Sequence, residues 1–185
     1  KILSEAIDEL KENEFKELYK SDASKPKEFI KDVQIDTDFE LLFPDNYINS
    51  ISERLSLYNE LSSTKSSDEL LDFEKRLIDR FGELPVQAID LLDSVRLKWL
   101  AKEIGLEKVV LKQKRMIGYF ISDQQSEFYQ TEAFTKVLKY VQQNPTTSVM
   151  KEKQTKVGLR LLITFIKIDS VEIALKRLQK VLGYL

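Results

Sequence analysis

The sequence predicts an α+β fold, in which helical hairpins in the first half pack on a small antiparallel β-sheet from the second half. Two observations predict it. Apolar residues recur at helical spacing between residues 50 and 104, and strand patterns are concentrated between residues 108 and 168. Because helices come first and strands later, alternating βαβ units are not indicated. The 185 residues, 42% of them hydrophobic, suffice for one domain with its own core.

The chain begins with an amphipathic pattern that is followed by a candidate domain boundary. Residues 1–20 place apolar side chains at helical spacing among acids and lysines, which predicts an amphipathic helix. The polar run 21–27 contains Pro26 and predicts a linker. Strict alternation from Val33 to Phe43 predicts a half-buried strand. Because Lys1 lies inside the helical pattern, we expect the chain to be a piece of a longer protein.

Three helices are predicted before residue 105. Capping boxes mark the starts of the first two, at Ser50 with Glu53 and at Ser66 with Glu69. Gly82 is expected to end the second helix, because glycine tolerates the left-handed conformation found at many helix ends. Pro85 suits the first position of the third helix, whose apolar stripe continues to Gly105.

The second half predicts two hairpins and two helices. The hairpins cover residues 108–121, with a basic tip, and residues 148–168. A helix is predicted from Glu132 to Gln142 with Thr131 as its cap. The last helix is predicted to begin at a capping box; its two residues are Asp169 and Glu172.

The residue types that are missing exclude many kinds of site. Without cysteine or histidine the chain can form no Cys or His zinc site, no iron–sulfur cluster and no Ser–His–Asp triad. The five glycines never cluster, so neither a Walker A loop nor a dinucleotide fingerprint is present. We therefore expect no cofactor here. No signal peptide or apolar run of ~20 residues is present, which predicts a cytoplasmic protein without a membrane anchor.

Carboxylates are the remaining route to catalysis or metal binding. Asp36, Asp38 and Glu40 share one face of the predicted strand and could hold a hard cation such as Mg²⁺. The alternative is a solvent-exposed strand face whose charges oppose edge aggregation. We favour this second interpretation.

The charges are distributed unevenly along the chain. Residues 1–93 carry 12 Lys and Arg against 23 Asp and Glu, a net charge of −11, whereas residues 94–185 carry 17 against 8, a net charge of +9. Two opposed surface lobes could steer partners of opposite sign. The alternative, which we favour, is an acidic half packed beside a basic half, so that the charges neutralise each other internally.

The stretch 96–115 is a candidate nucleic-acid interface. It contains seven bases against two acids, and its possible phosphate contacts are Lys112, Lys114 and Arg115 at the predicted hairpin tip. Trp99 and Tyr119 are possible stacking groups. Trp99, however, lies in the apolar stripe of a helix, which favours a place in the core.

Asp79 raises a separate question about the end of the second helix. In the last turn, the exposed carbonyl groups make a negative charge unfavourable by ~0.3–1 kcal/mol. A local pair with Arg76 or Arg80, or with another arginine of the same domain, would offset this effect. The alternative is an arginine on a partner surface, where desolvation strengthens the pair. From these residues alone we favour the local pair.

Four motifs in a fixed order resemble the C-terminal domain of bacterial transcription-repair coupling factors. They are P-x-x-Y-I from residue 44, R-L-x-x-Y from residue 54, L-I-D-R-F-G-x-x-P from residue 77 and L-L-x-x-x-R-L-K from residue 91. The wider similarity covers residues 33–185. The resemblance implies that residues 1–30 end the preceding motor region and that residues 31–185 form the C-terminal regulatory domain.

The resemblance also implies a function. Full-length members of the family are ATP-driven double-stranded DNA translocases that act on stalled RNA polymerase and recruit the excision-repair protein UvrA. ATP and Mg²⁺ belong to the motor of the parent protein. The terminal domain, expected to be a non-catalytic monomer, docks on the amino-terminal UvrA-binding region through acidic residues that meet arginines. Docking hides the recruitment surface and restrains the motor.

The docking residues carry over only in part. Family members usually have two acids in the pattern E-L-I-D-R-F-G, and the second of them corresponds to Asp79. Arg76 stands at the first position, which leaves three alternatives: Glu74 or Asp72 replaces the missing acid, the partner surface differs, or docking is weaker. The resemblance gives the inter-domain pair of Asp79 at least the same weight as the local pair.

Overall fold

The computed structural model describes residues 27–185, and its elements follow the predicted order. The helices are α1 (Ile51–Ser62), α2 (Ser67–Phe81), α3 (Val86–Ile104), α4 (Glu132–Gln143) and α5 (Val171–Val181). The strands are β1 (Gln34–Thr37), β2 (Leu106–Lys112), β3 (Arg115–Phe120), β4 (Ser148–Thr155) and β5 (Gly158–Ile166). The α+β class is therefore confirmed. The predicted helix over residues 1–20 lies outside the described residues, and the division at residue 30 stays a prediction.

The strands form one sheet in the order β1-β2-β3-β5-β4. The four strands of the second half pair antiparallel, as predicted, and β1 joins the edge of the sheet in parallel with β2. The predicted strand over 33–43 is correct only in its first part. Pairing ends at Thr37, opposite Leu111, because β2 turns back two residues later at Gln113 and Lys114 and offers no further partner.

Two apolar cores share helix α3. Its first half packs with α1 and α2 through Ala88 and Leu92, and its second half packs on the sheet through Leu97, Ala101 and Ile104. Helix α5 covers the same face of the sheet. The acidic helices α1 and α2 are consequently built on a core of their own. No described helix combines the length and the apolar character needed to cross a membrane.

Most of the predicted helix ends are confirmed, and two are wrong. Pro85 was predicted as the first residue of α3, but it is the N-cap, with extended backbone, and the helix begins at Val86. Ser50 and Ser66 accept hydrogen bonds from the backbone N–H groups three residues later, at 3.3 and 3.2 Å. The cap of α5 is Ser170, whose hydroxyl accepts from the N–H of Ile173 at 3.1 Å, and not Asp169. Asp169 instead lies 3.7 Å from the ammonium of Lys114, beside the β2–β3 turn.

Candidate docking surface on helices α1 and α2

A groove of about 370 Å³ runs between the antiparallel helices α1 and α2. Its floor includes Phe73 and Leu77, which pack in the helical core. Five charged side chains line the groove: Glu53 and Glu60 from α1, and Arg76, Asp79 and Arg80 from α2. Three carboxylates against two guanidinium groups leave one net negative charge in the groove.

Both arginines of the groove are held by helix α1. Arg76 pairs with Glu60, and Arg80 pairs with Glu53. The hydrogen bond from Arg76 to Glu60 raises the pKa of the Arg76 guanidinium. Both guanidinium groups also lie over aromatic rings, with the carbon of Arg76 5.7 Å from the centre of Phe73. The two arginines are thereby turned toward α1 and the floor of the groove.

Asp79 is exposed and forms no ion pair within residues 27–185. The local pair favoured from the sequence, with Arg76 or Arg80, is therefore wrong. The physical reason is that Glu60 and Glu53 compete for the same two arginines from the neighbouring helix. Sequence reasoning missed these two acids. Helical spacing alone does not reveal them, because the two acids are seven residues apart on α1 whereas the two arginines are four residues apart on α2.

The two substitute acids lie on different faces of helix α2. Asp72 is exposed two turns before Asp79 and on the same side of the helix. Glu74 points toward α3, where its carboxylate lies 3.1 Å from Arg96, a guanidinium that also holds Asp93 at 2.9 Å. The structure thus brings Asp72 and Asp79 to one surface and assigns Glu74 to the contact between helices.

The predicted basic interface over 96–115 is divided among three places. Arg96 is held between helices, as described above, and Lys98 and Lys102 line a separate cleft beside the half-buried Trp99. The three tip residues lie at the β2–β3 turn. Lys112 pairs with Asp36 at 2.9 Å and Lys114 lies near Asp169, whereas Arg115 has no acidic partner in the described part of the chain.

The acidic strand residues do not form a metal site. The carboxylate of Asp36 forms an ion pair with Lys112, and Asp38 and Glu40 lie beyond the end of β1. Among residues 27–185 no group of three or more Asp or Glu side chains is placed to hold a cation.

Comparison with known proteins identifies the family. The family model of the TRCF domain matches residues 37–131, more than half of the chain. The chain belongs to the TRCF domain family. This match confirms the resemblance predicted from the four sequence motifs, and the matched range contains the whole α1–α2 groove of this TRCF domain.

Curated relatives of this TRCF domain are transcription-repair-coupling factors. The protein of Escherichia coli (strain K12) is 41% identical over 73 residues, which cover 40% of this chain and 6% of the relative. The protein of Staphylococcus aureus (strain USA300) is 26% identical over 175 residues, covering 90% of this chain and 14% of the relative. The chain therefore spans only a small part of the length of these relatives.

A solved structure shows the same fold. The crystal structure of the C-terminal domain of a transcription-repair coupling factor superimposes with a TM-score of 0.58 at 16% identity. The alignment covers 83% of this TRCF domain and 96% of the solved chain. This similarity supports the α+β architecture described above.

Proposed function

We propose that this TRCF domain is a non-catalytic regulatory module of an ATP-driven DNA translocase in transcription-coupled repair. It docks through the α1–α2 groove on an arginine of the amino-terminal UvrA-binding region of the same protein. Docking hides the surface that recruits UvrA and restrains the motor until RNA polymerase is engaged. The family membership and the small share of its relatives that the chain covers support this assignment.

The observation that carries the proposal is the unpaired carboxylate of Asp79. It is exposed at the rim of a groove whose two arginines are already bound by acids of α1. A partner arginine that enters the groove would balance the one remaining negative charge. It would also offset the unfavourable interaction of Asp79 with the carbonyl end of helix α2. Such charge-assisted pairs can be bidentate and become stronger as docking removes water.

The docking equilibrium provides the regulatory step. A contact whose free energy is a few kcal/mol lets a competing partner shift the population from the closed to the open form. Long-range attraction between the acidic first half of the chain and a basic partner would speed the encounter. The absence of histidine, cysteine and clustered glycines from the sequence supports a binding role over a catalytic one.

Binding of the 185-residue chain to the purified amino-terminal UvrA-binding region tests the proposal. We expect Asp79→Asn to weaken binding at least about tenfold, because removing one partner of a desolvated charge pair leaves the other unpaired. Asp45→Asn is the matched control, since Asp45 is also exposed and has no ion-pair partner within residues 27–185. Equal affinities of Asp79→Asn and the unmodified chain would exclude the proposed contact.

A further inference from the structure

The sheet has an outer face that neither core covers. The register and the alternation of burial place one set of side chains toward the helices and the other set outward. The outward apolar side chains belong to neither core; they are Val110, Ile117, Val149, Leu162 and Ile166. We call this surface the outer sheet face.

The outer sheet face is strongly cationic. It carries six Lys and Arg side chains, contributed by β2, β3, β4 and β5: Lys108, Lys112, Arg115, Lys151, Lys153 and Arg160. Two acids accompany them in the described part of the chain, and both are engaged. Asp36 pairs with Lys112 at 2.9 Å, and Glu107 pairs with Arg160 at 2.7 Å.

Four cations therefore remain without an acidic partner among residues 27–185: Lys108, Arg115, Lys151 and Lys153. They lie on three strands, so no single stretch of sequence shows the cluster. Two of them come from the hairpin of residues 148–168, which lies far along the chain from the basic tip. The sheet register is what brings the four cations to one surface.

The aromatic side chain of this face, Tyr119, already contacts two cations. The ring of Tyr119 has the ammonium of Lys108 5.8 Å from its centre and the guanidinium carbon of Arg160 5.6 Å from its centre. Recognition of single-stranded nucleic acid relies on aromatic rings that stack on exposed bases. A ring that already contacts two cations is a poor stacking surface for a base, whereas the lysines around it remain available to phosphate groups.

We propose that the outer sheet face binds the sugar-phosphate backbone of double-stranded DNA without reading its sequence. Five strands at ~4.8 Å spacing make a face ~19 Å wide. A DNA duplex carries one phosphate per ~1.7 Å of its axis, so the part of a duplex that crosses this face carries about eleven phosphates. About half of them face the protein, which is comparable to the number of unpaired cations. The site is distinct from the acidic groove, so one domain presents two surfaces of opposite charge.

The test measures binding of the 185-residue chain to a fluorescent 25-base-pair duplex across a series of salt concentrations. Lys151→Glu with Lys153→Glu removes two contacts from the exposed edge strand β4. We expect affinity to fall roughly tenfold at low salt, and the slope of log affinity against log salt to decrease by about 2. Circular dichroism of the variant checks that the fold is retained.

The matched control is Lys136→Glu with Lys139→Glu on helix α4. Both lysines are exposed and have no acidic partner among residues 27–185, and the net charge changes by the same amount. We expect this variant to retain most of the affinity and the full salt slope. Equal losses in the two variants would overturn the proposal, because net charge alone would then explain binding.

Two further arms test the chemistry of the ligand. A single strand of the same length is expected to bind more weakly than the duplex, and tighter binding of the single strand would contradict the assignment. Polyglutamate at the same charge concentration is expected to compete poorly. Equal competition by polyglutamate would assign the face to acidic protein segments and overturn the DNA proposal. Neither result affects the Asp79 contact, which is tested with a different partner.

Discussion

Glu60 of helix α1 and Arg76 of helix α2 form an ion pair across the helical hairpin. Asp79 lies one turn after Arg76 on the same helix and is close enough to compete for its guanidinium. The pair with Glu60 therefore has a consequence beyond the hairpin itself, because it leaves the carboxylate of Asp79 available to another molecule.

Glu60→Gln is expected to weaken docking severalfold, because the released Arg76 guanidinium can turn to Asp79 and neutralise it. The fold itself should lose less than about 1 kcal/mol, since the pair between Glu60 and Arg76 is largely exposed. Titration against the amino-terminal region and urea unfolding measure the two effects. Glu152→Gln, on the distant strand β4, is the control. Undiminished docking by Glu60→Gln would show that Arg76 does not reach Asp79.

Arg96→Met is expected to reduce the free energy of unfolding by about 1–3 kcal/mol, because it leaves two partly buried carboxylates unpaired. These are Glu74 on α2 and Asp93 on α3, so the loss loosens the contact between the two helices. Lys98→Met is the control on the same helix and should change stability by less than about 0.5 kcal/mol. Chemical denaturation measures the free energy of unfolding of both variants. Similar losses in the two would show that substitution on helix α3, and not the loss of the ion pairs, destabilises the protein.

Gly105→Ala is expected to destabilise the protein by about 3 kcal/mol or more, from backbone strain and overpacking together. Gly105 has a φ of +90°, and a Cβ there would lie 2.3 Å from the ring of Phe128. Gly82→Ala separates the two effects, since Gly82 has a φ of +89° with nothing within 4 Å of its Cβ position. The ψ of Gly82 is −167°, a conformation essentially restricted to glycine, so that variant should lose about 1–3 kcal/mol from backbone strain alone. Thermal unfolding compares the two, and equal losses would refute the steric contribution of Phe128.

Asp90→Asn is expected to stabilise the protein at pH 7 by a few tenths of a kcal/mol. The gain is small because Asp90 is only partly buried, so solvent screens its charge. Burial, followed by the charges of Asp93 and Glu172, raises the pKa of Asp90. Because the folded pKa lies above the unfolded one, the folded state binds the proton more tightly, and stability falls as pH rises through this window.

The pH profile provides the check on Asp90. The advantage of Asp90→Asn over the unmodified chain should shrink as pH falls through the raised pKa and vanish below about pH 3, where the carboxyl is protonated in both states. Urea unfolding at several pH values measures the difference. A constant advantage of Asp90→Asn across the pH range would contradict the explanation.

The predicted elements agree with the structure where the signal is local. The caps at Ser50, Ser66 and Thr131 and the helix end at Gly82 were predicted correctly, because each depends on residues within one turn. The strand after Val33 was predicted too long. Alternation along β1 shows which side chains face inward, but only its partner β2 decides where hydrogen bonding stops.

The candidate site was predictable in part. Asp79 was identified from its position in the last turn and from the family motif. The prediction that Asp79 pairs with Arg76 or Arg80 was wrong, because the acids that compete for these arginines, Glu53 and Glu60, lie on another helix. Glu74 was proposed as a substitute contact, and it is bound by Arg96 instead. Pairing between charges depends on which helix faces meet, and helical spacing alone does not contain that information.

The sequence by itself determined the class of fold, the order of the elements and the family, since these depend on periodicity, caps and short motifs within continuous segments. Only the tertiary structure decided which charges are neutralised and which remain available. Asp36 pairs with Lys112 through the parallel pairing of β1 with β2, and the strand order places Arg115, Lys151 and Lys153 on the same face of the sheet. Electrostatic interactions act through space, so the final surface charge is a property of the packed chain.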